Sequence, residues 1–365
     1  MRVLLASSAT GGHIYPALAI ADRIRRRDKS AEILFVTAKK EVKLGIIERA
    51  GFRQTSINIR GFYRKSLLKN IATISDLVMS SAQVRWIFDD FRPDIVIGTG
   101  GYVCGPVIRL AKKMGIRAYL HEQNVLPGLA NRLAERYADK VFVAFEESVP
   151  HFKDPSKVIV SGNPVRDAFL KTDKELAKEG LGMPADRKSV LIFGGSQGAD
   201  ALNAAAVETV DILGASPGYC FSVITGKRSY AGTEEQISLL GDEKTAFTKV
   251  IDYTESIYRY MAAADIIVSR AGALTVAEIG VLGRASILIP SPNVTGNHQY
   301  YNALTLSDRG AAVLMDEKNI AGGGLAAEIK KLVEAEGKLT EMGRLAAQYA
   351  VRDAADRIFD AIYEK

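Results

Sequence analysis

Residues 1–13 read MRVLLASSATGGH, and residues 189–199 read SVLIFGGSQGA. Each stretch opens with a short run of branched apolar residues and then breaks into a glycine-rich turn. The first turn leads to a helical segment at Pro16–Arg27, the second to a helix from about Ala199. A strand, a glycine turn and a helix open a parallel α/β unit. Two such openings, nearly half a chain apart, predict two such units.

Outward from Val3–Ala6, further strands are expected at Ile33–Val36, Asp94–Gly98, Arg117–Leu120 and Lys140–Ala144. Outward from Ser189–Phe193 they are expected at Tyr219–Thr225, Thr248–Ile251, Asp265–Ser269 and Ala285–Ile289, with helices at Leu325–Glu334 and Leu339–Glu364. The join falls near Ser161-Gly162-Asn163-Pro164. The chain has 365 residues, which suits two domains of roughly 150–200 residues. The predicted fold class is α/β, with two Rossmann-like, doubly wound domains facing a cleft.

Composition narrows the function. Apolar residues make up 47% and charged residues 25% of the chain, so disorder and coiled coil are not expected. Cys104 and Cys220 are the only cysteines and stand far apart, which excludes a disulfide scaffold or a thiolate zinc site. The N-terminus reads as a strand rather than a signal peptide. No run of 18 apolar residues suggests a membrane span. The net charge of +6 is unevenly placed: residues 1–162 carry +11 and residues 163–365 carry −5. The basic half is expected to face a polyanion, an anionic lipid surface or an anionic substrate.

Four glycine turns follow strands: Ser8–His13, Gly98–Gly101, Gly194–Gly198 and Arg270–Ala273. A turn of this kind gathers backbone N–H groups and the positive end of a helix, which attract phosphate. All four should open at the carboxyl edges of the sheets, where α/β proteins bind ligands. The dinucleotide pattern G-x-G-x-x-G fails because Val103 takes the third place after Gly98 and Gly100. No GK[ST] follows any glycine turn. Asp-x-Asp is absent, so no aspartate-held metal and no cofactor are expected.

Among the four histidines, His13 lies at a helix start beside the expected cleft, where it can serve as general base or as a plain polar cap. His121 ends a strand with Glu122 and Asn124 beside it, and either binds ligand or orients the loop. His151 lies next to Pro150 and reads as exposed. His298 sits in the loop Pro290–Gln299 and either touches ligand or is an ordinary loop residue. Glu278 either takes hydrogen bonds from ligand hydroxyls or is solvated.

Seven segments carry a resemblance: SSATGGHIYPALAIA (7–21), GTGGYVCGP (98–106), HEQNVLPGLANRL (121–133), SGNPVR (161–166), FGGSQGA (193–199), SRAGALTVAEI (269–279) and GNHQYYNAL (296–304). In this order and spacing the chain resembles the MurG family of glycosyltransferases. The resemblance implies the glycosyltransferase B fold. It also implies inverting transfer of N-acetylglucosamine from UDP-GlcNAc to the C4 hydroxyl of undecaprenyl-pyrophosphoryl-N-acetylmuramoyl-pentapeptide, on the inner face of a bacterial membrane. Residues 1–162 would then be the acceptor and membrane-associating domain and 163–345 the donor domain. A C-terminal helix over 346–365 would pack back on the first domain.

The roles implied by the resemblance run as follows. His13 resembles the proposed base, and Asn124 a catalytic cleft residue. Thr10, Gly11 and Gly12 belong to the turn meeting the acceptor diphosphate, with Tyr102 and His121 on the acceptor side. Arg166 resembles an arginine near the donor phosphates. Ser196 and Gln197 resemble the pyrophosphate loop. Ala273, Leu274 and Thr275 begin the helix under the diphosphate. Glu278 is like a glutamate on the ribose hydroxyls, and Gln299 like a glutamine on the sugar hydroxyls. Ile257 stands where a methionine packs near the uracil in the best-known pattern. His298-Gln299 replaces the adjacent glutamines of many relatives.

Rival readings are another glycolipid glycosyltransferase of the same fold, a UDP-sugar epimerase, and a sugar-nucleotide or lipid-binding module without turnover. The expected location is peripheral, on the cytoplasmic side of the cell membrane. Between Glu48 and Asp76 no acidic residue occurs. Arg60, Arg64, Lys65 and Lys69 there adjoin an apolar helical face with Ile74, Leu77 and Val78, which suits an anionic inner leaflet. Expected partners are UDP-GlcNAc, the undecaprenyl-linked acceptor, anionic lipids, and proteins of cell-wall synthesis and division, with no nucleic acid.

Overall fold

The computed structural model describes residues 1–364 except Ala9, residues 60–66 and Ser196–Gln197; for 43–44, 67–78 and 295 only the backbone is described. The chain divides into two units, Met1–Arg166 with Val351–Lys365, and Asp167–Ala350.

Among the described residues the first unit holds seven strands: β1 (Arg2–Ala6), β2 (Glu32–Ala38), β3 (Arg53–Ile57), β4 (Ile95–Gly98), β5 (Arg117–Glu122), β6 (Lys140–Val143) and β7 (Val158–Val160). They pair in parallel in the order β3-β2-β1-β4-β5-β6-β7. Both faces are covered, so the inner strands are apolar without alternation. Leu4, Val36 and Val96 face Val84, Phe88 and Val107. On the other face, Val3, Leu5 and Ile97 meet Ile14, Ile20, Ile358 and Ile362.

The second unit repeats the plan with β8 (Lys188–Phe193), β9 (Tyr219–Ile224), β10 (Thr248–Ile251), β11 (Ile266–Ser269), β12 (Ala285–Leu288) and β13 (Ala312–Leu314), ordered β10-β9-β8-β11-β12-β13 and all parallel. Val190, Ile192, Val268 and Ile287 pack against Leu202, Ala206, Leu325 and Ile329.

Strand order reverses between β1 and β4 in one sheet and between β8 and β11 in the other. The four loops leaving these strands are the four glycine turns found in the sequence. Each sheet therefore presents a pair of such turns at its switch point, the place where open α/β sheets bind ligands.

Several local expectations change. Strands β3, β7 and β13, absent from the expectation, lie at sheet edges: β3 (RQTSI) lacks an apolar run, while β7 (VIV) and β13 (AVL) are apolar but only three residues long. The first helix starts at Gly11, not Pro16, and runs to Arg27 with the proline inside it; proline favours a first turn and so reads as a start. Leu339–Glu364 is two helices, Lys338–Gln348 and Ala354–Tyr363. Between them the chain leaves the second unit and re-enters the first.

The unit boundaries thus fall at 166/167 and 350/351 rather than 162/163 and 345/346. Residues 163–166 stay with the first unit: the Asn163 side chain donates to the Gln123 carbonyl at 3.1 Å, and the Arg166 guanidinium lies 5.0 Å from the Tyr15 ring centroid. The helix Ala354–Tyr363 lies against Gly11–Arg27, with Arg27 bonded to Asp356 and Asp360 at 3.2 Å and Tyr363 donating to Asp28 at 2.9 Å.

Candidate active site

In the first unit, the glycine turn after β1 delivers the helix Gly11–Arg27. Thr10 stands at its N-cap without a side-chain capping bond, and no acidic residue occupies the first turn. The first N–H groups of a helix have no intrahelical partner and carry its positive dipole. Gly12 is exposed, and a Cβ there would meet nothing within 4 Å. An anion can approach this end of the helix.

His13, half-buried, is held from three sides. Its carbonyl accepts a hydrogen bond from the Thr99 hydroxyl at 2.9 Å. Its ring lies on Gly100, where a Cβ would stand 2.5 Å from Nδ1. Its Nδ1 is 2.9 Å from Gln123 Oε1. The turn after β4 needs glycine for these reasons: Gly100 has φ +116° under the His13 ring, and Gly101 has φ +85° with Ser8 so near that a Cβ would lie 2.4 Å from its Cβ. Cys104 fastens the same turn, its thiol within 3.1 Å of the Ala6 and Gly100 carbonyls. Burial pushes that thiol up to about 12, so it is a neutral structural group.

The loop after β5 is organised by a buried carboxylate. Glu122 accepts from Asn124 N (3.0 Å), Asn124 Nδ2 (3.1 Å), Gly128 N (3.0 Å) and Asn131 Nδ2 (2.8 Å). His121 is fully buried; its Nε2 lies 3.2 Å from the Gly162 carbonyl and its Nδ1 3.0 Å from Gln123 Nε2. Burial lowers its pKa to about 4, with His13 adding in the same direction and the Gly162 bond opposing. Both ring nitrogens are engaged inside the protein, which favours the alternative in which His121 orients the loop over an acceptor contact.

Tyr102 donates towards Glu41 at 3.4 Å, and Ser8 donates to the same carboxylate oxygen at 2.9 Å. Lys40 lies 5.5 Å from the Tyr102 ring centroid. Burial raises the phenol's pKa, and the bond from Lys40 opposes it. Glu41, Gln123 and Asn163 were not singled out from the sequence. The HEQN run pointed to the right loop, but which of its side chains faces His13 depends on the pairing of β4 with β5.

In the second unit, the turn after β8 is closed by close backbone contact. A Cβ on Gly194 would lie 2.4 Å from the Ala199 nitrogen, and one on Gly198 would lie 2.1 Å from the Thr225 carbonyl oxygen. Ser196 and Gln197 lie outside the described residues. After β11, Gly272 caps the helix Ala273–Leu282, again without a side-chain cap or an acidic first turn. Ala273 is buried, while Leu274, Thr275 and Glu278 are half-buried along this helix. Arg270 bonds the Ile289 and Pro290 carbonyls and pairs with Glu317, tying this turn to the segment after β12.

Gln299, in the helix His298–Ser307, accepts from Ser291 N at 2.9 Å and so closes its own loop. Gly296 and Asn297 before it are both left-handed, at φ +64° and +52°. Ile257 opens the helix Ile257–Ala263 and is half-buried. Arg166, expected on the donor domain, belongs to the first unit. Of the proposed membrane residues, Arg60, Arg64 and Lys65 lie outside the described residues. Lys69, Ile74, Leu77 and Val78 lie in the helix Leu67–Phe91, described there as backbone only. Among the described residues no three His, Cys, Asp or Glu side chains cluster to hold a metal ion, and no helix is long and apolar enough to cross a membrane.

The glycosyltransferase family 28 N-terminal domain matches residues 3–143, and the family's C-terminal domain matches 189–358. The UDP-N-acetylglucosamine–N-acetylmuramyl-(pentapeptide) pyrophosphoryl-undecaprenol N-acetylglucosamine transferase of Acetivibrio thermocellus is 39% identical over 362 residues, covering 99% of this chain and 97% of the relative. The enzyme of the same name from a Thermoanaerobacter species is 41% identical, covering 99% of both. The crystal structure of Acinetobacter baumannii MurG matches with a TM-score of 0.77 at 25% identity, over 99% of this chain and 98% of that one. With full-length identity of this order and both domain matches in sequence, the chain belongs to the MurG family of pyrophosphoryl-undecaprenol N-acetylglucosamine transferases, within glycosyltransferase family 28.

Proposed function

We propose that this chain transfers N-acetylglucosamine from UDP-GlcNAc to the C4 hydroxyl of N-acetylmuramic acid in undecaprenyl-pyrophosphoryl-N-acetylmuramoyl-pentapeptide, inverting the anomeric centre to give the β-1,4-linked disaccharide lipid of peptidoglycan synthesis. The observation that carries this reading is His13, half-buried at an uncapped helix N-terminus with one ring nitrogen bonded to Gln123. Among the described residues no hydrogen bond engages the other nitrogen, which is assigned to the substrate hydroxyl.

His13 takes the C4 proton as that oxygen attacks C1 of the donor sugar. The C1–O bond to UDP breaks on the opposite face. A neutral histidine suits this transfer near neutral pH. Thr10, Gly11 and Gly12 offer the acceptor diphosphate the N–H groups of their helix, with Tyr102 and Asn124 nearby on the acceptor side. The donor is assigned to Ala273–Thr275 at the second helix start, with Ser196 and Gln197 in the preceding glycine loop, Glu278 on the ribose, Gln299 on the sugar and Ile257 by the uracil. These dipoles and N–H groups meet the charge that grows on departing UDP, and Arg166 is assigned to the same phosphates.

The lipid acceptor stays in the bilayer, so the enzyme must come to it. The basic run with Arg60, Arg64, Lys65 and Lys69 and the apolar face with Ile74, Leu77 and Val78 are the proposed contact with anionic inner-leaflet lipids. Proteins of cell-wall synthesis and division are proposed partners.

A radiolabel assay tests the reaction. Label should pass from UDP-GlcNAc to product only with the lipid acceptor present, and His13→Ala should lower turnover by roughly 10²–10⁴-fold. Donor conversion without acceptor would favour an epimerase instead, and wild-type turnover in His13→Ala would remove the base assignment.

A further inference from the structure

We propose that Gln123 is a positioning residue that fixes His13 in the tautomer with the proton on Nδ1, leaving Nε2 as the nitrogen that takes the substrate proton. The last clause rests on the reading of His13 as base; the tautomer does not.

The two ends of the Gln123 side-chain amide face different neighbours. One end lies 2.7 Å from the Thr99 carbonyl oxygen and 3.1 Å from that of His121. A carbonyl oxygen only accepts, so this end must be the NH₂. The other end, the oxygen, then lies 2.9 Å from His13 Nδ1. An amide oxygen has no proton to give, so the proton in that bond belongs to His13 Nδ1. In a neutral imidazole the lone pair is then on Nε2.

His121 supports the same orientation. Its Nε2 faces the Gly162 carbonyl at 3.2 Å and must donate. Its Nδ1 is therefore an acceptor, and Gln123 Nε2 lies 3.0 Å away. Burial, which holds this imidazole neutral down to about pH 4, keeps that acceptor in place. Reversing the Gln123 amide would set its oxygen against two carbonyl oxygens and a ring lone pair. Gln123 is itself 1% exposed, so no solvent would relieve the conflict. Donation thus runs in one direction, from His13 at the helix start through Gln123 and His121 to the Gly162 carbonyl.

The test reads the tautomer directly. The full chain is labelled with nitrogen-15 histidine and its long-range proton–nitrogen correlations are recorded at neutral pH without substrates. The His13 signals are assigned from their loss in His13→Ala. Wild type should show a protonated Nδ1 and a lone-pair Nε2. Gln123→Leu should move His13 to the Nε2–H form or a mixture, and lower kcat roughly 10- to 100-fold with the KM for UDP-GlcNAc unchanged. A wild-type His13 protonated on Nε2, or a Gln123→Leu protein with an unchanged His13 signature, overturns the proposal. Should Gln123→Leu not fold, the wild-type spectrum alone decides. If His13→Ala turns over normally while the tautomer is as stated, the base reading falls and the Gln123 assignment stands.

Discussion

Replacing Gly100 by alanine is expected to damage turnover more than stability. Gly100 sits at φ +116°, and a Cβ built there lies 2.5 Å from His13 Nδ1 and 2.6 Å from Cε1. Ordinary carbon contacts begin near 3.5 Å, so about 1 Å of separation must be found. The backbone beneath is anchored, since Gly100 N lies 3.1 Å from Cys104 Sγ and its carbonyl accepts from Ser8 N at 3.1 Å. The ring is the easier part to move, and moving it stretches the 2.9 Å bond to Gln123. A reacting group displaced by about 1 Å loses on the order of 10²-fold in rate. The backbone strain of an alanine at this φ adds about 1–3 kcal/mol, or about 2–4 °C in Tm per kcal/mol for a unit of this size. Gly105→Ala is the control: it lies in the helix Cys104–Lys113, and a Cβ there meets nothing within 4 Å. Acceptor-dependent transfer, UDP-GlcNAc affinity and thermal melting should be measured on both. Gly100→Ala should lose turnover while keeping donor affinity, and Gly105→Ala should keep both. Wild-type kcat in a folded Gly100→Ala would refute the reasoning that this contact sets the position of the ring.

Glu278→Ala should raise the KM for UDP-GlcNAc and relax nucleotide discrimination through lost ribose hydrogen bonds; equal wild-type affinity for UDP and its 2′-deoxy analogue would dismiss that role. His121 has a folded pKa of about 4, depressed by burial, against an unfolded value near 6.5. Its contribution is complete above pH ~6.5 and is lost as pH falls towards 4, amounting to about 3 kcal/mol. Denaturant titrations across that window should show the loss in wild type and a flatter limb in His121→Asn. Sedimentation with anionic liposomes should weaken at high salt and when Arg60, Arg64, Lys65 and Lys69 all become serine; a folded quadruple variant that binds as tightly as wild type would rule out this patch as the anchor.

The repeated strand–turn–helix opening was legible because inner strands of a doubly covered parallel sheet must be apolar on both faces. Val3–Ala6 and Val190–Phe193 therefore stand out as unbroken runs, the second followed at once by Gly194 and the first by Gly11 after four intervening residues. Edge strands such as Arg53–Ile57 are buried along only part of their length and leave no such mark. The break within 339–364 was equally silent, since no glycine or proline marks the point at which the chain returns to the first unit.

Residue types and local order were enough to place four glycine turns at strand ends, to set His13 at a helix start and to bring the HEQN run to the ligand edge of its sheet. These are properties of short segments, governed by steric and hydrophobic rules that act within a few residues. The reasons for particular glycines, and the division of labour within HEQN, arise from contacts across the chain. Gly100 is glycine because His13 lies over it, 87 positions away in sequence. His121, plausible as a ligand contact, is turned inward by Gly162, and Gln123 rather than Asn124 reaches His13. Only the parallel pairing of β1 with β4 and β4 with β5 brings these groups together. A hydrogen bond depends on distances of a few tenths of an ångström, which sequence spacing does not encode.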